Sequence, residues 1–181
     1  MFAKSLSNTT MLKTSSEHCC TASNDGTIQI WDLSTYKSIL RVQEASEATC
    51  LSLIHKEDKM LIFSGWRDCS IRVYDVSNGN TVLYIPNAHR KPVSSLDVSE
   101  KYFISGGEDG IVNVWSWNRE LLCQFSEHRS KPVRSVRHAS SLPLLVLLVF
   151  FNIFKKTLLC FTHTYFTNIL YSRRARRFEL M

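Results

Sequence analysis

The chain has no glycine-rich phosphate loop, no His-Glu-x-x-His and no Gly-x-Ser-x-Gly, so the nucleotide, zinc and serine-hydrolase chemistries seated by those motifs find no support in it. None of its six cysteines, at 19, 20, 50, 69, 123 and 160, forms a Cys-x-x-Cys pair. No apolar core of about 7 to 15 residues follows the first lysines to act as a secretory signal, and the cysteines are therefore expected as reduced thiols in the cytosol or a space continuous with it. Apolar runs fall short of a membrane span: Leu142 to Phe154 runs for 13 residues before Lys155 and Lys156, against the roughly 20 that a spanning helix needs. Aspartate is missing altogether beyond Asp109. His18, His55, His138 and His163 stand singly, without ligand spacing, and read as ordinary surface or loop histidines. No cofactor, metal or catalytic residue is expected.

What the chain does have is one ten-residue pattern in three copies: Ser23-Asn-Asp-Gly-Thr-Ile-Gln-Ile-Trp-Asp32, then Trp66 to Asp75, then Gly107 to Ser116. The central aspartates, Asp25, Asp68 and Asp109, and the closing aromatics, Trp31, Tyr74 and Trp115, both step by 43 and then 41 residues. Asp-Gly between two short alternating runs favours a tight hairpin, because glycine takes the positive φ that such turns need. After the turn, Ile28/Ile30, Ile71/Val73 and Val112/Val114 alternate with Gln29, Arg72 and Asn113, the period of half-buried strands. Outer strands recur at Ser38 to Val42, Thr81 to Ile85 and Leu121 to Phe125, and innermost strands at Thr49 to Ile54, Val93 to Val98 and Val133 to Arg137. A repeat of about 40 to 45 residues with Trp-Asp endings marks propeller blades.

Over residues 18–138 the chain resembles the WD-repeat β-propeller family. That resemblance implies a buried network of His, Ser or Thr, Asp and Trp in each blade, filled at all four places in the third copy by His89, Ser105, Asp109 and Trp115. Thr21, Asp25 and Trp31 fill three places in the first copy. Ser64 and Asp68 fill two in the second, where Tyr74 replaces the tryptophan; neither of these copies has the histidine. A fourth blade begins with His128, since His128-Arg-Ser-Lys-Pro-Val nearly repeats His89-Arg-Lys-Pro-Val.

The expected architecture is all-β: a partial WD-repeat propeller of about three blades plus the first strand of a fourth. A lead-in at 1–17 has no clear first strand, and a tail at 139–181 is apolar and basic. Where a fourth turn aspartate and tryptophan should fall, the chain has Phe150 and Lys156. The tail's Leu, Phe and Asn content is what translated A/T-rich noncoding sequence yields, so read-through or a frameshift stands beside a membrane segment as its origin. The formal charge of +6 is confined to this end: residues 1–127 carry 12 Lys/Arg against 15 Asp/Glu, and residues 128–181 carry 10 against one. A nucleic-acid partner is therefore not expected.

Function falls to surfaces that bind other proteins, since fold alone selects no partner. A narrower resemblance, in Ser64-Gly-Trp-Arg-Asp-Cys, Asn87-Ala-His-Arg-Lys-Pro-Val and Ile104-Ser-Gly-Gly-Glu-Asp-Gly, is to the WD-repeat proteins of cilia and flagella. It implies an axonemal structural protein with tubulin or axonemal partners. The alternatives are a cytosolic adaptor, such as a ubiquitin-ligase receptor or signalling scaffold, and a membrane-attached fragment. Trp66, Tyr84 and Trp117 are candidate contact aromatics, with packing between blades as the rival reading. Arg67, Arg72, Arg90 and Lys91 are candidates for an acidic partner such as tubulin.

Overall fold

The computed structural model describes residues 9–15, 17–56, 58–126, 131–137, 144–151 and 155–162. Within them lie fourteen strands and no helix. The first twelve form three four-stranded antiparallel sheets in simple chain order. Blade 1 is β1 (Thr9–Thr14), β2 (His18–Ser23), β3 (Thr27–Asp32) and β4 (Ser38–Gln43). Blade 2 is β5 (Ala48–Lys56), β6 (Lys59–Trp66), β7 (Ile71–Asp75) and β8 (Thr81–Ile85), and blade 3 is β9 (Val93–Val98), β10 (Tyr102–Gly107), β11 (Val112–Ser116) and β12 (Leu121–Phe125). A separate hairpin joins β13 (Leu144–Phe151) to β14 (Lys155–Thr162).

The hairpin lies in the tail, where the sequence reading placed no strand, and two further elements differ from that reading. The lead-in holds a strand after all, because β1 pairs with β2 along its length; Thr-Thr-Met-Leu-Lys-Thr lacks the apolar alternation that would have marked it. The segment 131–137, which holds the expected innermost strand of a fourth blade at Val133 to Arg137, is docked on blade 3 without joining a sheet ladder. The Val133 amide donates to the Gly107 carbonyl (3.1 Å) and the Val136 amide to Ser95 Oγ (3.1 Å), and both valine side chains are fully buried.

The turns follow the glycine logic at Gly26 (φ +82) and Gly110 (φ +78). At Gly26 a Cβ would lie 2.2 Å from the Glu44 carbonyl oxygen, so only glycine fits. In blade 2 the same turn is made by Cys69 at φ +70, a conformation that costs a side-chain-bearing residue free energy.

Each innermost strand carries one extra residue where it meets the second strand of its blade. The three are Thr10, Thr49 and Ser94, all hydroxyl residues. Thr49 Oγ1 bridges the Gly65 carbonyl of its own blade (2.9 Å) and the Val93 carbonyl of the next. Ser94 Oγ repeats the bridge from Gly106 (3.0 Å) to Val133 (2.6 Å). The bulge thus turns a hydroxyl from the sheet ladder toward the following repeat, so one side chain fixes the stagger of two.

Between the blades run apolar seams. Cys20, Ala22, Ile28 and Ile30 of blade 1 meet Leu51, Ile62, Trp66 and Tyr74 of blade 2. Phe63, Ile71, Val73 and Leu83 of blade 2 meet Val93, Leu96, Phe103 and Trp115 of blade 3. Phe63 and Phe103 lie 5.1 Å apart between ring centroids. Among the described residues no helix is long and apolar enough to cross a membrane.

Candidate functional site

The third blade builds the complete network. Trp115 Nε1 donates to Ser105 Oγ (2.9 Å), Ser105 Oγ lies 2.7 Å from His89 Nε2, and His89 Nδ1 lies 3.2 Å from Asp109 Oδ1. With the imidazole neutral and its proton on Nδ1, each group donates once along the line from indole to carboxylate. Asp109 also accepts from the Ile111 amide (3.0 Å) and the Arg90 amide (2.8 Å), so its charge is satisfied without a cation. Burial holds the His89 pKa below the ordinary histidine value, against the opposing pull of Asp109. At Gly107 a Cβ would sit 2.4 Å from Asp109 Oδ1 and 2.5 Å from His89 Nδ1, so the second glycine of Gly106-Gly107 makes room for the network. Asp, His and Ser in hydrogen-bonded line imitate a hydrolase relay. Ser105 is fully buried, however, and its hydroxyl is engaged on both sides.

Blade 1 keeps only the upper half. Trp31 Nε1 donates to Thr21 Oγ1 (3.2 Å), which donates to the Gln29 carbonyl (3.3 Å). Asp25 instead accepts from the Thr27 amide (2.9 Å) in an exposed turn, where hydrogen bonds from Thr27 hold its carboxyl below the usual range.

Blade 2 is rewired. Trp66, for which the sequence left inter-blade packing beside partner contact, takes the packing role: it is completely buried, and its Nε1 donates to Ser64 Oγ at 2.8 Å. It supplies the indole that position 74 lacks, from two residues along the same strand. Tyr74, expected to stand in for that tryptophan, points its hydroxyl to Glu44 Oε1 (2.9 Å); burial and then the Glu44 carboxylate raise its pKa. The turn aspartate has a cation in place of the histidine: Arg72 Nη2 donates to Asp68 Oδ2 at 2.6 Å. The guanidinium lies 4.6 Å over the Trp66 ring and 5.6 Å from the Tyr84 ring, with Nη1 3.5 Å from Glu44 Oε2. Arg72 is therefore a fastening of blade 2 and not a free charge for a partner. Trp66 and Arg72 lie within the second copy but at positions to which the repeat assigns no network role, and Glu44 lies in the loop between blades, which is why the sequence read this blade as merely incomplete.

Trp117 follows the packing reading that stood beside partner contact. It is half-buried in the seam between blades 2 and 3, edge-on to Phe63 (5.3 Å, 89°) with Lys56 Nζ 3.9 Å over its ring. The remaining candidates face solvent: the Arg67 side chain is 64% exposed while paired with Glu47 at 2.7 Å, Tyr84 is 45% exposed, and Arg90 and Lys91 are exposed. His128 lies outside the described residues. Sequence reasoning missed Tyr36, Ile39, Val82, Leu121 and Leu122, large apolar side chains exposed on the outer strands or in the turn before β4. The signal for Ile39, Val82, Leu121 and Leu122 was their placement on each blade's last strand, which has no further strand to pair with. Among the described residues no three His, Cys, Asp or Glu side chains gather as a metal site.

Comparison with known proteins agrees with this geometry. Residues 9–32 and 80–116 match the family profile of the WD domain, G-beta repeat. Cilia- and flagella-associated protein 52 of Bos taurus is 31% identical over 109 residues, 59% of this chain and 17% of that protein, and proteins of the same name from Homo sapiens and Chlamydomonas reinhardtii also match. F-box/WD repeat-containing protein 8 of Homo sapiens is 28% identical over 116 residues, 62% of this chain and 19% of that protein. The crystal structure of the computationally designed Ika4 protein superposes with a TM-score of 0.68 at 21% identity, covering 83% of this chain and 89% of that one. Residues 9–32 and 80–116 thus match WD40 repeats, the three sheets form part of a β-propeller, and the chain spans less than a fifth of the length of the two natural relatives.

Proposed function

We propose that this chain supplies blades to a non-catalytic protein-binding scaffold of the cilium or flagellum, bound to axonemal microtubules. The observation that carries this reading is the recurrence of cilia- and flagella-associated protein 52 among its relatives from mammals to Chlamydomonas. It agrees with a fold whose polar network is spent on holding turns and whose distinctive surface groups are exposed. On this reading Arg67, Arg90 and Lys91 meet the acidic surface of tubulin, and Tyr84 supplies an aromatic contact. Expression of the longest tagged transcript in ciliated cells tests it: the tag is expected along axonemes and in tubulin pulldowns. Exclusion from cilia would overturn it.

The similarity to F-box/WD repeat-containing protein 8 favours a second reading, a cytosolic adaptor. Affinity purification that recovers ligase or signalling subunits in place of tubulin selects that one.

A further inference from the structure

His18 and His55 stand 37 positions apart in the sequence, yet the fold brings them together. His18 opens β2 on the same side of its sheet as Cys20 and Ala22, the side turned toward blade 2. His55 lies on β5, two and four residues beyond Leu53 and Leu51, on the side turned toward blade 1. Their ring centroids are 6.4 Å apart with planes tilted by 42°. His18 Nδ1 is buried and has no hydrogen-bond partner. A buried imidazole nitrogen without a partner is unusual, because nearly all such groups are satisfied.

We propose that His18 and His55 form a two-imidazole site for a divalent transition-metal ion of the zinc class, at the end of the seam between blades 1 and 2. With its proton on Nε2, neutral His18 presents the Nδ1 lone pair to the ion. Imidazole suits zinc, copper and nickel, and water fills the positions the protein leaves open. Two imidazoles on a tetrahedral ion stand roughly 5 Å apart between centroids, so rotation of the exposed His55 side chain closes the gap. The surroundings favour a cation. Asp32, the cross-strand neighbour of His18, is held anionic by hydrogen bonds from Ser34 and Thr35, its pKa lowered to about 2. Lys56, next to His55, directs its ammonium to the Trp117 ring on the other seam. Reciprocal hydrogen bonds with Ser15 fix the His18 backbone (2.8 and 3.0 Å).

Equilibrium dialysis of the full chain against Zn²⁺ tests the site. One ion per chain is expected, with affinity falling about tenfold or more in both His18→Gln and His55→Gln and unchanged in His138→Gln. No saturable uptake, or equal uptake in either seam variant, overturns the assignment. Should a substitution unfold the chain, diethyl pyrocarbonate labelling of the unsubstituted protein decides: Zn²⁺ should protect both histidines together, and protection of neither or of one alone would refute it.

Discussion

His89 is held neutral inside the third blade, and its consequence is a direction of pH dependence. Its folded-state pKa lies below that of unfolded histidine, near 6.5, so the unfolded chain takes up the proton first as the pH falls. The stabilisation is complete above about pH 6.5 and is lost on acidification toward the folded-state pKa, with a slope of at most ~1.4 kcal/mol per pH unit. Urea unfolding between pH 7.5 and 5 should show this fall, and His89→Gln should flatten it. In blade 2 the indole of Trp66 reaches Ser64, so Trp66→Phe should cost about 1 kcal/mol from the lost hydrogen bond, read as a shifted urea midpoint at constant slope. Arg72→Leu leaves Asp68 and Glu44 without the cation they share and should cost about 2 kcal/mol, less at high salt. These side chains were legible unequally. The His89 set was fully written in sequence because all four members sit at repeat positions, whereas Trp66 and Arg72 act across neighbours in space that no one-dimensional spacing records.

At the scale of single strands, the bulged innermost strands carry the link between repeats. Thr49→Val and Ser94→Ala each remove a hydroxyl that bridges two carbonyls, one in its own blade and one beyond it, in blade 3 for Thr49 and in the docked segment for Ser94. Each should cost about 1 kcal/mol, and because the carbonyl that Thr49 reaches belongs to the Val93–Ser94 peptide itself, the two sites are neighbours and the double variant should depart from the sum by about 0.5 kcal/mol or more by chemical denaturation. The blade strands were readable from alternation and turn chemistry, all but β1 and the docked 131–137; β13 and β14, in a tail of continuous apolar runs without turn signals, were not. Alternation fails for β1 because polar threonines and a lysine interrupt it. The docked segment was read as a strand because Pro132 to Val136 nearly copies Pro92 to Leu96, but here it buries its valines without gaining a ladder partner.

For the whole molecule, the three sheets behave as a row in which each unit leans only on its neighbours, so damage at one seam should spread to the two sheets that share it. Phe63→Ala empties the middle of the seam between blades 2 and 3 and should cost about 3 to 5 kcal/mol. Native-state hydrogen exchange should then speed up in both β6–β7 and β10–β11; acceleration confined to blade 2 would show the sheets to be energetically independent. The rewired middle sheet has a further implication, for modularity. Copies of a repeat are often treated as exchangeable parts, but this one shares out its fastening among Glu44, Trp66, Arg72 and Tyr74. Restoring a tryptophan at position 74 alone would bring a second indole to the Ser64 hydroxyl and strip Glu44 of its phenol partner. The second repeat can be transplanted, or replaced by a copy of the third, only as a complete set of residues that includes the loop of the repeat before it.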